Sequence, residues 1–379
     1  MSAIARQVVA TGTDSAKVAA KIVDELAGPN LRLALVFADW RLDPEVMARV
    51  TYRGLRAPVV GGTTTGVIGR GVPCDEVAAS AIGLYGDWLR VGLGVAAELP
   101  KAALARSRDA VQHAVTMLGT TVHALDSSRH VGISVVDGTS GHEEAFCIGS
   151  AAAAPKIRFV GGCTATELGS TRDAPVWVNG EVLTDAGVVI VAASELPFHT
   201  LNSAHLEPTD ARTVVTAASG RVIEELDGRP AVPRLRELVR QLGETLDEPR
   251  PQHSLARYVD GLPYVRSVMR IERDRLHLAS GVEPGHVLRV MRPGDLIGQT
   301  TRDLATACER VGGEMSALLA FSCAGRHLEA QARSLHRELA GAYSQYPTVG
   351  FQTSGEQSGM LLVNHTLTGL AIGQPRSER

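Results

Sequence analysis

The stretch FVGGCTAT, residues 159–166, decides the fold because related forms of it occur three times along the chain. Its counterparts are VVGGTTTG at residues 59–66 and TVGFQTSG at residues 348–355. An apolar run precedes each stretch and ends in a small or acidic polar residue, and the first glycine follows that residue after 22, 24 and 27 positions. These polar residues are Asp39, Asp137 and Cys323. Residue type and spacing recur together, which indicates an internal repeat.

Each repeat has the pattern of a strand, a helix, a second strand, a glycine turn and a third strand. A glutamate lies six residues after each polar residue, where it favours the dipole of a starting helix: Glu45, Glu143 and Glu329. Apolar third strands follow at residues 78–84, 187–192 and 366–372. The spacing suits a helical crossover between parallel strands. The sequence therefore predicts an α/β fold of internally duplicated units that form a layered α/β sandwich of two domains.

A different stretch separates the second and third repeats. Residues 213–226 have the pattern of a strand that passes into a helix, and residues 232–246 predict an amphipathic helix. A proline-containing break follows at residues 247–251. We place the two domains at residues 30–220 and 221–372, with an amino-terminal extension at residues 1–29 and a tail at residues 373–379.

The composition argues against several classes of protein. The 379 residues include 38 basic and 41 acidic side chains, a net charge of -3, without a run of like charges. Nucleic acid and a membrane surface are therefore not expected partners. Apolar runs are shorter than the roughly 20 residues that span a bilayer, and the amino terminus lacks a signal core, so we expect a cytoplasmic protein. Five cysteines without a Cys-x-x-Cys pair, and no His-Glu-x-x-His, argue against disulfides and a metal site.

Ligand chemistry is expected where the repeated strands end. Loops at the carboxyl ends of strands form ligand crevices, so we expect the three glycine turns to converge on one polar cavity lined by backbone N–H groups. The alternative is that each glycine only permits a bend. Asp137 and Glu143 flank a predicted helix start, where ligand contact and helix capping are equally open. Cys163 and Cys323 place thiols at a turn and a strand end, although buried cysteines are more often inert.

Enzyme signatures are largely missing. Neither a Gly-x-Ser-x-Gly elbow nor a Gly-x-x-x-x-Gly-Lys loop occurs. No base has an evident position to activate Cys163, Cys323 or the hydroxyl of Thr63. We therefore expect a protein that binds a ligand and is not an enzyme, with a thiol- or threonine-dependent enzyme as the competing class.

The motifs resemble the FIST family, with its amino-terminal and carboxyl-terminal FIST domains at the two predicted domains. The resemblance extends over residues 30–372 and is carried by residues 60–64, 137–138, 143–144, 160–164, 225–231, 321–326, 350–356 and 364–367. It implies an intracellular sensory protein that binds a small ligand, with amino acids among the implied ligands. Output would pass to a separate partner such as a histidine kinase or a cyclic-dinucleotide enzyme. Some stand-alone members similar to this chain are haem proteins that sense nitric oxide, so a haem-based regulator of a histidine kinase is the alternative.

Turns, strand ends and family motifs together give the predicted site. The ligand-binding residues are Gly62, Thr63, Asp137, Glu143, Gly162, Cys163, Thr164, Cys323, Arg326, Thr353, Glu356 and Asn364. With an amino-acid ligand, the acids would meet its ammonium group and Arg326 its carboxylate. If haem binds, the predicted iron ligands are His142, His205 and His365, which lie in loops or at strand ends near the repeated motif.

Overall fold

Three similar α/β units account for most of the protein. The structure, a computed structural model, describes residues 4–70, 76–167, 170–247, 252–259 and 261–375. Asp14 and Asp43 cap the first two helices by accepting backbone N–H groups, as expected at helix starts. The first unit comprises β1 (Ala5–Thr11), α1 (Ser15–Leu26), β2 (Leu31–Asp39), α2 (Pro44–Leu55), β3 (Val59–Thr64), β4 (Val67–Ile68) and β5 (Ala78–Tyr85).

The second unit has a similar order of strands and helices, but its first helix is longer than that of the first unit. It comprises β6 (Leu89–Ala96), α3 (Leu99–Met117), a short 3-10 helix (Val122–Ala124), β7 (His130–Val136), α4 (Glu143–Ala153), β8 (Arg158–Cys163), β9 (Val176–Val178), β10 (Glu181–Leu183) and β11 (Gly187–Ser194). β12 (Phe198–Ala204) then leaves this unit and joins the sheet of the third unit, where it pairs with the last strand of the chain.

An antiparallel sheet separates the second and third units. It comprises β13 (Glu207–Ser219), β14 (Val222–Leu226), β15 (Arg229–Pro230), β16 (Ser254–Val259), β17 (Leu262–Arg266), β18 (Val268–Glu272), β19 (Arg275–Leu278) and β20 (Val287–Arg292), with α5 (Ala231–Gln241) against it. The predicted helix within residues 213–226 is wrong, because Gly220 turns with a positive φ of 59° and the chain returns as a second strand. The predicted break at residues 247–251 lies almost wholly outside the described residues.

The third unit differs from the others in having a divided helix after its first strand. It comprises α6 (Leu296–Arg310), β21 (Met315–Cys323), α7 (Ala324–Ala332), α8 (His336–Ser344), β22 (Thr348–Thr353), β23 (Glu356–Ser358), β24 (Leu361–Val363) and β25 (Thr366–Gly373). Among the described residues, no helix is long and apolar enough to cross a membrane.

The strand pairing confirms the predicted repeat. In each unit the first two strands of the repeated pattern are parallel across a helical crossover, as β2–β3, β7–β8 and β21–β22. The third strand then returns antiparallel on the other side of the first, as β5, β11 and β25. The side chains of all three sheets share one core, to which Leu35, Ile133 and Phe321 belong. The predicted layered α/β class is therefore confirmed.

Candidate functional site

The three glycine turns contact one another in a closed ring, which confirms that they converge. Three backbone hydrogen bonds join them: Ala165 N of the second turn donates to Thr63 O of the first (3.0 Å), and the third turn donates from Ser354 N to Cys163 O of the second (3.1 Å) and from Gln352 N to Gly66 O of the first (2.8 Å). The hydroxyl of Thr64 also donates to the carbonyl oxygen of Gln352 at 2.7 Å. The ring thus links the first unit to the second, the second to the third, and the third to the first.

Side chains pack tightly against two of these glycines, where the sequence predicts a polar cavity. A Cβ at Gly62 would overlap the methyl group of Thr164, and one at Gly162 would overlap that of Thr353. Phe37 and Phe351 stack beside the ring with their centroids 4.0 Å apart, and Phe351 lies edge-on to a further phenylalanine of β21. These glycines therefore serve close packing between the units.

The carboxylate groups at the end of β7 and the start of α4 accept hydrogen bonds from neighbouring residues of the protein. Asp137 accepts hydrogen bonds from the backbone and hydroxyl of Thr139, at 2.9 and 2.6 Å, and from the backbone of Asp185 at 2.8 Å. Burial nevertheless raises its pKa. Glu143, at the first turn of α4, accepts from Gly141 N at 3.0 Å and forms an ion pair with Arg221. Both carboxylates thus have partners within the protein, although neither caps α4, whose N-cap residue is His142 and makes no side-chain capping bond.

Glu356 is the most unusual of the predicted residues. It is fully buried on β23, and the hydroxyl groups of Thr353 and Thr366 donate to its two oxygens. Burial outweighs these bonds and raises its pKa to about 8, so the carboxyl group is uncharged at neutral pH. The thiols of Cys163 and Cys323 are buried too, and desolvation raises the pKa of each.

Three further predicted residues lie around the turns. Thr164 donates to Val136 O at 3.2 Å and accepts from Gly138 N at the same distance. Asn364 donates to Ser354 O at 3.4 Å, while its Oδ1, like the hydroxyl of Thr63, is buried without a hydrogen-bond partner among the described residues.

Two of the three predicted haem ligands meet in the interior. Nε2 of His205 lies 2.7 Å from Oε2 of Glu329, and Nε2 of His365 lies 3.0 Å from the same oxygen. Arg326 is buried beside them and directs one guanidinium nitrogen at Nδ1 of His205, at 3.2 Å, and the other at the hydroxyl of Thr300, at 2.6 Å. The third predicted ligand, His142, lies apart at the start of α4.

A cavity of about 420 Å³ opens on the other face of α7, and we call it the α7 cavity. Buried Ile68, Leu339 and Tyr343 line it, and exposed Glu76 and Glu167 also belong to its wall. The remaining lining residues are Trp40, Arg41, Thr65, Gly66, Val67, Gly69, Ala324, His327, Leu328, Ala330, Gln331, His336, Ala340 and Gln352. None of the fifteen predicted ligand- or haem-binding residues, all of which the structure describes, lines this cavity.

The site residues predicted from the sequence do not line the α7 cavity, but several lining residues lie within a few positions of the repeated motifs. Trp40 follows the strand-end Asp39, Gln352 lies inside the third turn motif, and His327 comes four residues after Cys323. The sequence signal that could have indicated the cavity was Trp40, an aromatic residue directly after the end of β2. Burial and the nearby Arg326 lower the pKa of His327 to about 3, so its ring is neutral.

Two family models match most of the chain. The model of the FIST N domain matches residues 5–229, and that of the FIST C domain matches residues 231–359. An uncharacterized protein of Methanocaldococcus jannaschii is 39% identical over 83 residues, which are 22% of this chain and only 16% of that protein. The crystal structure of a cyanuric acid hydrolase from A. caulinodans aligns with 98% of this chain and 99% of its own, at 11% identity and a TM-score of 0.36.

Proposed function

Because the chain belongs to the FIST family, whose domains sense small ligands in signal transduction, we propose that its ligand binds in the α7 cavity. The observation that carries this proposal is the cavity itself, whose volume of about 420 Å³ is typical of small-molecule sites. The bound state would then be read by a signalling partner. A histidine kinase and a cyclic-dinucleotide enzyme are the two partner classes that we propose.

The lining of the cavity favours an amphipathic ligand. Ile68 and Leu339 give it a buried apolar base, whereas Glu76 and Glu167 bring two carboxylates to its exposed part. Arg41 lies at the same part, and Asp39 holds its guanidinium group with two hydrogen bonds of 2.8 Å. An amino acid with an apolar side chain matches this division, with its ammonium group towards the glutamates and its side chain in the base.

Calorimetric titration with single amino acids tests the proposal. Leucine, phenylalanine and tryptophan should bind, and glycine, serine and aspartate should bind more weakly or not at all. Replacing Glu167 by Gln should weaken binding about tenfold or more, because a charge-assisted hydrogen bond is lost. The matched control is Glu181→Gln, an exposed glutamate on β10 outside the cavity lining. Equal affinity in the two variants, or no binding by any amino acid, would contradict the amino-acid proposal.

Haem is the second candidate ligand, and a specific residue favours it. His327 places a neutral imidazole in the wall of a cavity that also contains Leu328, Leu339 and Tyr343, and neutral imidazole is a common ligand of haem iron. Bound haem would supply an iron centre for a gaseous ligand such as nitric oxide. We propose His327 as its holder in place of the three histidines predicted from sequence.

Reconstitution with haem distinguishes this candidate from the first. A Soret band should form with the unmodified protein and be lost or shifted in His327→Ala, whereas His142→Ala, which changes a histidine outside the cavity, should leave it unchanged. If no Soret band forms, haem is rejected and the amino-acid titration stands by itself.

We also propose that the protein is not an enzyme. The raised pKa values of Cys163 and Cys323 support this, because a protonated and buried thiol is a poor nucleophile. Iodoacetamide at neutral pH should leave both cysteines unmodified in the folded protein. Rapid modification of either one would reopen the thiol-dependent class.

A further inference from the structure

A buried cluster of metal-ligating side chains lies on the face of α7 opposite the cavity. His205 lies between β12 and β13, Glu329 on α7 and His365 between β24 and β25, and their ligand atoms all lie within 4.8 Å of one another. We propose that this His205–Glu329–His365 cluster binds one divalent transition-metal ion, and that zinc suits its donor set. Two imidazoles and a carboxylate are a known zinc-binding combination.

The geometry brings the three ligand atoms together around one carboxylate oxygen. Nε2 of each histidine approaches the same carboxylate oxygen, Oε2 of Glu329, at 2.7 and 3.0 Å. The other oxygen, Oε1, accepts a hydrogen bond from Arg333 at 2.6 Å. The side chains of His205 and Glu329 are no more than 1% exposed. The separations of 2.7 and 3.0 Å are those of hydrogen bonds, so the carboxylate must withdraw from the two rings to admit an ion at about 2.0–2.2 Å from each ligand atom. The ion would then have three ligands, with the carboxylate binding through Oε2 alone.

The second contact of His365 agrees with this arrangement. When Nε2 binds a metal, the proton of a neutral imidazole must move to Nδ1 and needs an acceptor there. Nδ1 of His365 lies 3.3 Å from the hydroxyl oxygen of Ser267, which can either donate or accept. The hydroxyl group can therefore serve His365 with and without the ion.

Arg326 opposes the ion at His205. Its guanidinium group only donates hydrogen bonds, so Nδ1 of His205 accepts at 3.2 Å and the ring proton lies on Nε2, facing Glu329. Metal binding would move that proton to Nδ1, where two donors would then face each other. Arg326 and Arg333 also carry positive charge beside the cluster. The ion must therefore displace the guanidinium group of Arg326, and we infer that this residue limits the metal affinity.

Metal analysis of the full chain, produced without a histidine tag and dialysed against zinc alone, tests the site. We expect one zinc ion per chain, and a parallel sample with cobalt should show the visible absorption of a protein-bound ion. Glu329→Gln and His365→Ala should each lose the ion. The matched control is His253→Ala, because His253 also meets a glutamate, Glu244, at 2.7 Å but has no second histidine in that contact.

Two changes at Arg326 test the displacement step. Arg326→Gln removes the charge and supplies an oxygen that can accept from Nδ1 of His205, so zinc affinity should rise about tenfold or more. Arg326→Met only removes the charge and should give a smaller increase. Circular dichroism of each variant checks that the fold is kept.

The outcomes separate clearly. Zinc retention in Glu329→Gln and His365→Ala would overturn the assignment, as would failure of both the unmodified protein and Arg326→Gln to bind zinc or cobalt. Weaker zinc binding by Arg326→Gln than by the unmodified chain would overturn the displacement of Arg326. Ligand binding in the α7 cavity is measured separately and does not enter these readouts.

Discussion

The ring of glycine turns and the α7 cavity share Gly66 and Gln352, yet side chains pack tightly at the ring whereas the cavity is open. At the ring, Gly62 and Gly162 let threonine methyl groups of neighbouring units approach the backbone. At the cavity, the divided helix of the third unit leaves room between α7, α8 and the end of the first turn. The repeated residues therefore hold the units together, whereas space for a ligand arises where one unit departs from the repeat.

Adding volume at the ring should have the largest effect. Gly162→Val would place a side chain against Thr353, Phe321 and Phe351, and overpacking of this kind should lower the free energy of unfolding by about 3 kcal/mol or more. Urea denaturation measures the change. Gly341→Ala is the control, since a Cβ there meets nothing within 4 Å and α8 should gain up to about 1 kcal/mol. Similar stability of the two variants would mean that the ring is loosely packed.

Removing one bond that closes the ring should have the next largest effect. Thr64→Val keeps the shape of the side chain but leaves the carbonyl oxygen of Gln352 without the hydroxyl donor. The same hydroxyl also contacts Gly66 O at 2.7 Å and accepts from Gly66 N at 3.1 Å. Loss of these partly buried contacts should lower the free energy of unfolding by about 2 kcal/mol in the same urea assay. Thr116→Val, which removes an exposed hydroxyl on α3, should cost much less. An equal loss of stability in both variants would show that the Thr64 hydroxyl contributes no more to stability than an exposed hydroxyl on a helix.

The buried acid next to the ring predicts a dependence on pH. Unfolding exposes Glu356 and returns its pKa from about 8 to about 4.5, so the folded protein binds the extra proton between these values. Stability should therefore fall as pH rises through this window, by about 1.4 kcal/mol per pH unit from this group, and level off above pH 8. Glu356→Gln, which cannot ionise, should lack this slope. Urea titrations of both proteins at pH 6 and pH 7 measure the difference, and parallel curves would contradict the raised pKa.

Adding volume to the cavity should have the smallest effect on stability. Ala340 lies on α8, is exposed and lines the cavity, so Ala340→Leu should change the free energy of unfolding by no more than about 0.5 kcal/mol. The larger side chain should nevertheless weaken ligand binding because it occupies the space. Destabilisation comparable to that of Gly162→Val would remove the distinction between the tightly packed ring and the open cavity.

The repeat was predictable because the same local sequence features occur in three copies along the chain. Apolar strands, acidic helix starts and glycine turns recur at nearly fixed spacing, and the structure gives each copy the same pairing. The hairpin at residues 213–226 was mispredicted because its polar and apolar residues fit a helix locally, while pairing with β19 and β20 decides for strands.

The site was harder to predict because its members are brought together by the fold alone. The absence of a metal-binding spacing argues against a metal site, yet His205 and His365 meet Glu329 in the interior across 124 and 36 residues. The cavity depends on the division between α7 and α8, for which the repeated pattern gives no template. Glycines and strand-end acids were conspicuous in the sequence, but packing and local hydrogen bonds account for the contacts of Gly62 and Asp137.

The closure of the ring also constrains the order in which parts of the protein can fold during synthesis. Thr64 finds its partner Gln352 across 288 residues, and β4 of the first unit pairs with β22 of the third. During synthesis the first turn therefore emerges long before the chain that completes it. Contacts of such separation slow folding, because closing a long loop costs chain entropy before the contact can form. The contacts between the first and third units can therefore form only after the last unit has left the ribosome.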